Sequence, residues 1–423
     1  MRTVTAILGL LLSTLTQSPL FGLQEEPLSP SVSALIRSVQ AGVSTAETKF
    51  WQRHSAPLIE AVPDDSTQSL VTFVFRAEAE AQNVIVITPL SLVDFSASLM
   101  TRIPGTSTWY RTYTLSDSVR FLYRFGIDDN LLPFDQDRNL FARMGTWIPD
   151  PANPRRFSFG DGSEGSILEL PLAQSESWIH PRSGEGGTME ESLLLSDILE
   201  GKRAVGVYLP PGFSREKPPY PLVVFHDGDS YQGLIPAPTI LDNLIAEGRI
   251  PPTVAVFLPA SANRGEEYDC NPRWGRLVAS EIVPWARERY HAGLEASRTF
   301  VVGFSLGGLA AACTAHQHPD VFGGVLAQSG SFYRAPAGEA PEWLSRSIAA
   351  GERSSIRWYL EIGSYERSAI PSRDPSMLTA SRHLRDVLLA KGVMLRYEER
   401  PTGHEHVAWR ASLAPALVWL LTP

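Results

Sequence analysis

Ser305 lies in a short pattern that is typical of a nucleophilic serine. The pattern is Gly303-Phe304-Ser305-Leu306-Gly307, a G-x-S-x-G match, and it follows the apolar run 299–302, which predicts a buried strand. The turn from this strand into the next helix needs glycine on both sides of the serine, because side chains there would crowd it. We therefore predict that Ser305 is a nucleophile and that the backbone N–H of Leu306 stabilises an oxyanion.

His404 is the predicted general base. A serine hydroxyl is a poor nucleophile until a base takes its proton, and with this serine turn the chain order is serine, acid, histidine. His404 follows Gly403 directly after the last predicted strand, 395–399, so its loop should return over the sheet edge that carries Ser305. His406, two residues further on, is the alternative base.

Glu366 is the predicted acid that orients the histidine. It lies in the loop after the penultimate predicted strand, 358–362, where such an acid is expected. Asp374, eight residues further on, is the alternative acid. In a third interpretation Glu366 is only an ion-pair partner of Arg367, and the serine and histidine work as a dyad.

The second oxyanion donor is expected in the loop after the predicted strand 222–225. Gly228 in this loop permits a backbone turned toward the serine, and the N–H of Asp229 or of a neighbour is the predicted donor. The side chains of His226 and Asp227 are expected to form buried structural hydrogen bonds at the sheet edge.

The elements around these residues predict two folded units. After about residue 190, strands alternate with helices, which is typical of a mostly parallel sheet covered on both faces, here an α/β-hydrolase fold over 190–423. Before it, runs of period two rich in β-forming residues predict a small antiparallel sandwich over 65–150. Residues 23–64 are predicted as a helical lead-in, and 151–189 as a linker with one short strand around 167–172.

Composition and charge indicate which partners and which cell compartment to expect. The chain has 423 residues and a net charge of −9, which argues against nucleic acid as a partner. No run reaches the roughly 18 apolar residues that a membrane helix needs. Residues 1–22 predict a signal peptide, and hence a secreted or periplasmic protein, with the cytoplasm as the alternative. Cys270 and Cys313 are expected to be buried free thiols rather than a bridge.

Several segments resemble the enterochelin (ferric enterobactin) esterases. They are 57–60, 102–106, 264–271 (with Tyr268 where the family has leucine), 322–331 and 403–410. The resemblance implies an immunoglobulin-like sandwich packed beside an esterase D-like hydrolase domain. It also implies hydrolysis of carboxylic ester or serine-lactone bonds.

The resemblance implies roles for single residues as well. It supports the catalytic roles predicted above for Ser305, His404 and Glu366. The segment 264–271 matches a family motif that reads roughly R-x-x-E-L-x-C-N, and substrate-binding roles follow for Arg264, Glu267 and Asn271.

The predicted activity is ester hydrolysis through an acyl-enzyme, which needs no metal or cofactor. The expected partner is a small-molecule ester, with a ferric siderophore favoured. The alternatives are a feruloyl or acyl-carbohydrate esterase, an acyltransferase on the same fold, or a non-catalytic protein that binds a glycan or siderophore.

An anionic iron complex needs basic groups in its binding site. Arg264, Arg273 and Arg276 are the candidates. Their alternative role is ion pairing with nearby acidic residues, which are Glu266, Glu267 and Glu281.

Overall fold

The computed structural model describes residues 29–77, 80–217, 219–367 and 375–422. The predicted signal peptide, residues 1–22, lies outside these ranges. Within them, none of the helices is long and apolar enough to cross a membrane.

The N-terminal part of the chain forms a β-sandwich with three short helices. Its elements are α1 (Pro30–Gln40), α2 (Ala46–Arg53), β1 (Leu58–Val62), β2 (Asp65–Arg76), β3 (Val84–Ile87), β4 (Thr101–Arg102), β5 (Thr108–Ser116), β6 (Arg120–Ile127), α3 (Leu140–Met144), β7 (Arg156–Ser158) and β8 (Glu164–Glu169). They build two antiparallel sheets, in the orders β1-β2-β5-β4 and β3-β6-β8-β7.

The two sheets share one apolar core. Phe73 of β2 and Tyr113 of β5 pack with Phe121 and Phe125 of β6, and all four side chains are buried. Alternation along each strand sends one set of side chains into this core and the other set to the outer face.

Two predicted boundaries of the sandwich are wrong. Strand β8 pairs with β6, and β7 pairs with β8, so residues 156–169 belong to the sheet and not to a linker. The glycine and proline residues that predicted a linker form the turns around these two strands. Strand β1, in the predicted helical lead-in, pairs with β2 at the other side of the sandwich.

The C-terminal part is an α/β domain. Its strands are β9 (Thr188–Ser196), β10 (Gly201–Leu209), β11 (Leu222–His226), β12 (Val254–Leu258), β13 (Thr299–Phe304), β14 (Gly324–Gln328), β15 (Arg357–Gly363) and β16 (Leu395–Arg400). Its helices are α4 (Gly228–Gln232), α5 (Ala237–Ala246), α6 (Arg264–Tyr268), α7 (Pro272–Leu277), α8 (Val283–Tyr290), α9 (Ser305–Gln317), α10 (Trp343–Ala350), α11 (Met377–Ala390) and α12 (His406–Leu421).

The predicted mostly parallel sheet with two covered faces is confirmed. The strand order is β16-β15-β14-β13-β11-β12-β10-β9, and only β9 and β10, at one edge, run antiparallel to their neighbours. Helices α5 and α12 pack on one face, and α7 to α11 pack on the other. The parallel strands end at one edge, so the loops after β11, β13, β15 and β16 meet there.

Cys270 and Cys313 form a disulfide, so the expectation of free thiols is wrong. Their Cα atoms lie 5.2 Å apart across a sequence separation of 43. The bond joins the segment before α7 to α9, the helix that follows Ser305. Helices α7 and α9 pack against each other on the same sheet face, which brings the two residues together.

Candidate active site

Ser305 lies in a tight turn between β13 and α9. Its backbone has a φ of 54°, in the left-handed region that L-residues rarely adopt. A Cβ atom on Gly303 would lie 2.2 Å from the carbonyl oxygen of Gly307, and one on Gly307 would lie 2.3 Å from Oδ2 of Asp227. Only glycine fits at either position. The structure therefore confirms the prediction that this turn needs glycine on both sides of the serine.

Ser305, His404 and Glu366 form a continuous hydrogen-bonded chain. Nε2 of His404 lies 2.9 Å from Oγ of Ser305, and Nδ1 of His404 lies 2.7 Å from Oε2 of Glu366. The loops after β13, β16 and β15 contribute one residue each. The structure therefore brings together the three residues that the sequence predicts, although they are far apart along the chain.

Glu366 is buried and held on its other oxygen. Oε1 accepts hydrogen bonds from the backbone N–H of Gly363, at 2.8 Å, and from the hydroxyl of Ser329, at 2.6 Å. The indole N–H of Trp409 donates to Oγ of Ser329 at 3.0 Å, and the Trp409 ring packs edge-on against His404. The carboxylate is thus fixed in one orientation.

Sequence reasoning assigned no role to Ser329 or Trp409. A signal was available for Ser329, because it directly follows β14, the strand next to the one that leads to Glu366. Trp409 lies five residues after the predicted base, in the first turn of α12, but nothing in the pattern indicates which way its indole points.

This geometry suits proton transfer coupled to nucleophilic attack. An imidazole that accepts the serine proton on Nε2 must carry a hydrogen on Nδ1, and a carboxylate at Nδ1 favours that tautomer and the imidazolium that follows. Leu306 and Asp229 lie in the first turns of α9 and α4, where backbone N–H groups lack partners within the helix. Their assignment as oxyanion donors stays a prediction.

The domain comparison matches both parts of the chain. Residues 196–420 match the family described as "Putative esterase", and residues 70–179 match the family described as "Enterochelin esterase, N-terminal". The chain belongs to the esterase family. The resemblance to the enterochelin esterases is also confirmed, because both halves of that architecture are present in the right order.

Relatives of this esterase are named for iron siderophores. The iron(III) enterobactin esterase of Escherichia coli K12 is 29% identical over 339 residues, covering 77% of this chain and 82% of that protein. The iron(III) salmochelin esterase of E. coli O6:H1 is 26% identical, covering 93% and 98%. The crystal structure of the enterobactin esterase from Shigella flexneri superposes with a TM-score of 0.70 at 28% identity, covering 88% and 97%. The protein is thus an esterase of the serine-hydrolase type.

The other histidines near the serine turn of this esterase are packed in apolar surroundings. His406 stacks on Phe157 of the sandwich and packs against Phe304, and burial lowers the pKa of His406 to about 4. His226 is fully buried beside Trp274, and burial lowers its pKa to about 4 as well. Asp374, the alternative acid, lies outside the described residues.

Arg264 is close to the serine turn but is already paired. Its guanidinium donates two hydrogen bonds to Asp227, at 2.6 and 2.7 Å, and lies 5.2 Å from the ring centroid of Tyr268. The Asp227 carboxylate lies against Gly307, where a Cβ atom would come within 2.3 Å of its Oδ2. Arg264 therefore supports the turn, and its side chain remains about 30% exposed.

Glu267 and Asn271 also make contacts within the protein. The buried Glu267 carboxylate accepts hydrogen bonds from Arg203 and Ser261, both at 2.7 Å. The Asn271 side chain caps α7 by accepting from the N–H of Arg273 at 2.9 Å. These contacts explain both residues as structural groups, so the substrate-binding roles implied for them find no support in the geometry.

The alternative role of the three arginines, ion pairing with Glu266, Glu267 and Glu281, does not occur among the ion pairs of the described residues. Arg264 pairs with Asp227, and Arg273 lies 3.7 Å from the exposed Glu200. Arg276 is exposed. Across the described ranges, no group of three or more His, Cys, Asp or Glu side chains is arranged to hold a metal ion.

Proposed function

We propose that this esterase hydrolyses the ester or lactone bonds of a siderophore of the enterobactin class, with Ser305 as nucleophile, His404 as general base and Glu366 as the orienting acid. The observation that carries the chemistry is the hydrogen-bonded chain of these three side chains at the turn after β13. The substrate class rests on the names of the relatives, whose architecture this chain shares over most of its length.

In the first half of the reaction, Oγ of Ser305 attacks the ester carbonyl carbon and its proton passes to Nε2 of His404. The carbonyl electrons move onto the oxygen, which the backbone N–H groups of Leu306 and Asp229 stabilise in this scheme. When the carbonyl re-forms, the bond to the alcohol oxygen breaks and this oxygen takes the proton from His404. The product is an acyl-enzyme and a free alcohol.

In the second half, water replaces the alcohol. His404 takes one proton from the water molecule while the water oxygen attacks the acyl carbon. His404 then gives this proton to Oγ of Ser305 as the bond from Oγ to the acyl carbon breaks and the carboxylic acid product leaves. Glu366 keeps its negative charge throughout and stabilises the imidazolium in both halves. Every step uses only groups of this chain, the substrate and one water molecule.

We also propose that the protein is exported and that its sandwich is immunoglobulin-like. Two antiparallel four-stranded sheets around a common core support the immunoglobulin-like description.

The sequence of residues 1–22 supports export, and so does the disulfide between Cys270 and Cys313, because disulfides persist mainly in oxidising compartments. Cell fractionation with sequencing of the mature N-terminus tests export, and a chain that keeps Met1 in the cytoplasm would contradict it.

The catalytic assignment is tested by labelling and turnover. A fluorophosphonate should modify Ser305 covalently, and Ser305→Ala should lower kcat/KM by at least about 10³-fold and abolish the label. Product analysis with ferric enterobactin, apo-enterobactin, feruloylated sugars and simple acyl esters tests the substrate. Activity retained in Ser305→Ala contradicts the mechanism, and efficient cleavage of feruloylated sugars alone contradicts the substrate.

A further inference from the structure

Two other parts of the chain cover the outer face of the sandwich sheet β3-β6-β8-β7. Alternation along β6 sends Phe121 and Phe125 into the sandwich core, so Leu122 and Arg124 lie on the outer face. On the β8 side, Ile167 packs against the start of α12 in the hydrolase domain. On the β3 side, the segment around α3 covers the sheet. A cleft opens between these two covers.

His404 forms part of the wall of this cleft. The cleft encloses about 210 Å³, and its walls include five apolar or aromatic side chains: Leu122, Leu140, Met144, Trp147 and Phe159. Complete ligand sites commonly enclose about 300 to 1,000 Å³, so this cleft fits one ring-sized group of a larger substrate. A flat apolar group gains most from walls of this composition.

The wall contributed by α3 is held in place by ion pairs. Arg143 donates to Asp129 at 2.9 Å and to Asp137 at 3.1 Å, and its guanidinium lies 4.9 Å from the ring centroid of Phe134. Because these contacts tie α3 to the loop before it, the cleft is formed without a ligand. A preformed site loses less free energy to ordering when a ligand binds.

Arg124 is the one cation on the described lining of the cleft. Its guanidinium lies over the ring of Phe159, 4.7 Å from the centroid, and its hydrogen bond to Oγ of Ser163 is long, at 3.5 Å. Asp161 is near enough to act on it electrostatically, but no ion pair in the described part of the chain includes Arg124. A hydroxyl or carboxylate on a bound ring therefore finds a hydrogen-bond donor here.

The position of the cleft decides which side of the ester it receives. His404 and Glu405 border the cleft, whereas Ser305 does not. In the proposed mechanism the departing alcohol oxygen takes its proton from His404, so the alcohol part of the ester must lie on the histidine side. We propose that this cleft is the leaving-group subsite, which takes an aromatic ring attached to the alcohol and turns its polar substituent toward Arg124. The proposal rests on the catalytic roles proposed above.

Acetate esters that differ only in the alcohol test the subsite. Met144→Ala removes part of one wall and should lower kcat/KM for 2-phenylethyl acetate by about tenfold, with ethyl acetate unchanged within twofold. Phe141 is the matched control, because it lies on the same helix but is about 90% exposed and outside the cleft lining. Phe141→Ala should leave both substrates unchanged.

Arg124→Gln tests the polar end of the subsite. It should lower kcat/KM about tenfold for 2-(4-carboxyphenyl)ethyl acetate and leave 2-phenylethyl acetate within twofold, because only the first ester carries a charge for the guanidinium to bind. Equal labelling rates of Ser305 in all variants show that the catalytic residues are intact.

Two results would overturn the proposal. One is an equal loss on ethyl and 2-phenylethyl acetate in Met144→Ala, and the other is a selective loss on ethyl benzoate, which places the ring on the acyl side. A wild-type protein that cleaves no ester and takes no label contradicts the proposed function instead. The two failures are therefore distinguishable.

Discussion

The two carboxylate oxygens of Glu366 have different tasks. Oε2 binds the imidazole of His404, while Oε1 is held by the backbone of Gly363 and the hydroxyl of Ser329. A carboxylate fixed on one side in this way keeps the imidazole in the orientation that hydrogen-bonds Ser305. Positional precision of this kind is worth much in catalysis, because small displacements of reacting groups cost large factors in rate.

Ser329→Ala should lower kcat about tenfold with little change in KM. The variant removes one donor to Glu366 and the acceptor of the Trp409 indole, so the carboxylate loses its fixed orientation while the substrate contacts remain. Steady-state kinetics with a short acyl ester measure the effect. Ser381→Ala is the control, because Ser381 is buried and its hydroxyl has no hydrogen-bond partner. If both variants behave alike, the hydroxyl of Ser329 has no positioning role.

Among single residues, the sequence predicts the catalytic ones, because their chemistry requires a recognisable pattern. It misses residues that only position a catalytic side chain. Ser305 follows from the glycine pattern, and His404 and Glu366 follow from strand order. The position of Ser329 directly after β14 is a weak signal, because a serine that positions a carboxylate looks like any other polar residue after a strand. The disulfide was also missed, since pairing depends on how α7 packs on α9.

The loop between β16 and α12 connects the catalytic histidine to the sandwich. Glu405, the residue after His404, is half-buried, with Oε1 of its carboxyl group out of contact with solvent, and its Oε2 accepts the backbone N–H of Leu122 in β6 at 2.6 Å. Burial raises the pKa of Glu405 from 4.5 to about 8, and the nearby Glu366 adds to this effect. A neutral carboxyl at this point binds the two domains together without placing a second charge beside the catalytic acid.

Glu405 should make the protein less stable as pH rises. The folded protein keeps the proton up to about pH 8, whereas the unfolded chain releases it near 4.5. Between these values the folded state binds more protons, so its free energy of unfolding falls with rising pH, by at most about 1.4 kcal/mol per unit. Glu405→Gln removes this slope, and urea denaturation between pH 5 and 8 should show the variant gaining stability relative to the wild type.

Glu295→Gln is the matched control for this measurement, because Glu295 is exposed. It should keep the wild-type pH slope. A Glu405→Gln variant whose free energy of unfolding follows the wild type in parallel across this range would show that Glu405 is ionised in the folded protein.

The strands that the sequence predicts correctly in the α/β domain are continuous apolar runs, and their order along the chain implies the parallel sheet. Strands β7 and β8 were assigned mostly to a linker, because β7 has three residues and glycine and proline surround the pair. Their strand state depends on pairing with β6, a contact that local sequence does not show.

The sandwich and the hydrolase domain share an apolar interface. Phe157, Ile167 and Val407 are buried together, and Arg410 forms an ion pair with Glu176 across the same surface. The interface positions the catalytic loop from outside the hydrolase domain, and the cleft that reaches this loop is lined mainly by the sandwich. The catalytic residues could be predicted from the hydrolase sequence alone, but the shape of the site depends on both domains.

Phe157→Ala should separate the unfolding of the two domains. Phe157 stacks on His406, contacts Val407 and lies under the guanidinium of Arg410, so its loss removes contacts that belong to both domains and costs about 3 to 5 kcal/mol. Calorimetry should show one transition for the wild type and two for the variant. Phe73→Leu, a change within the sandwich core, lowers stability without touching the interface and should keep one transition at a lower temperature. Two transitions already present in the wild type would mean that the interface does not couple the domains, and His404 would then owe its position to the hydrolase domain alone.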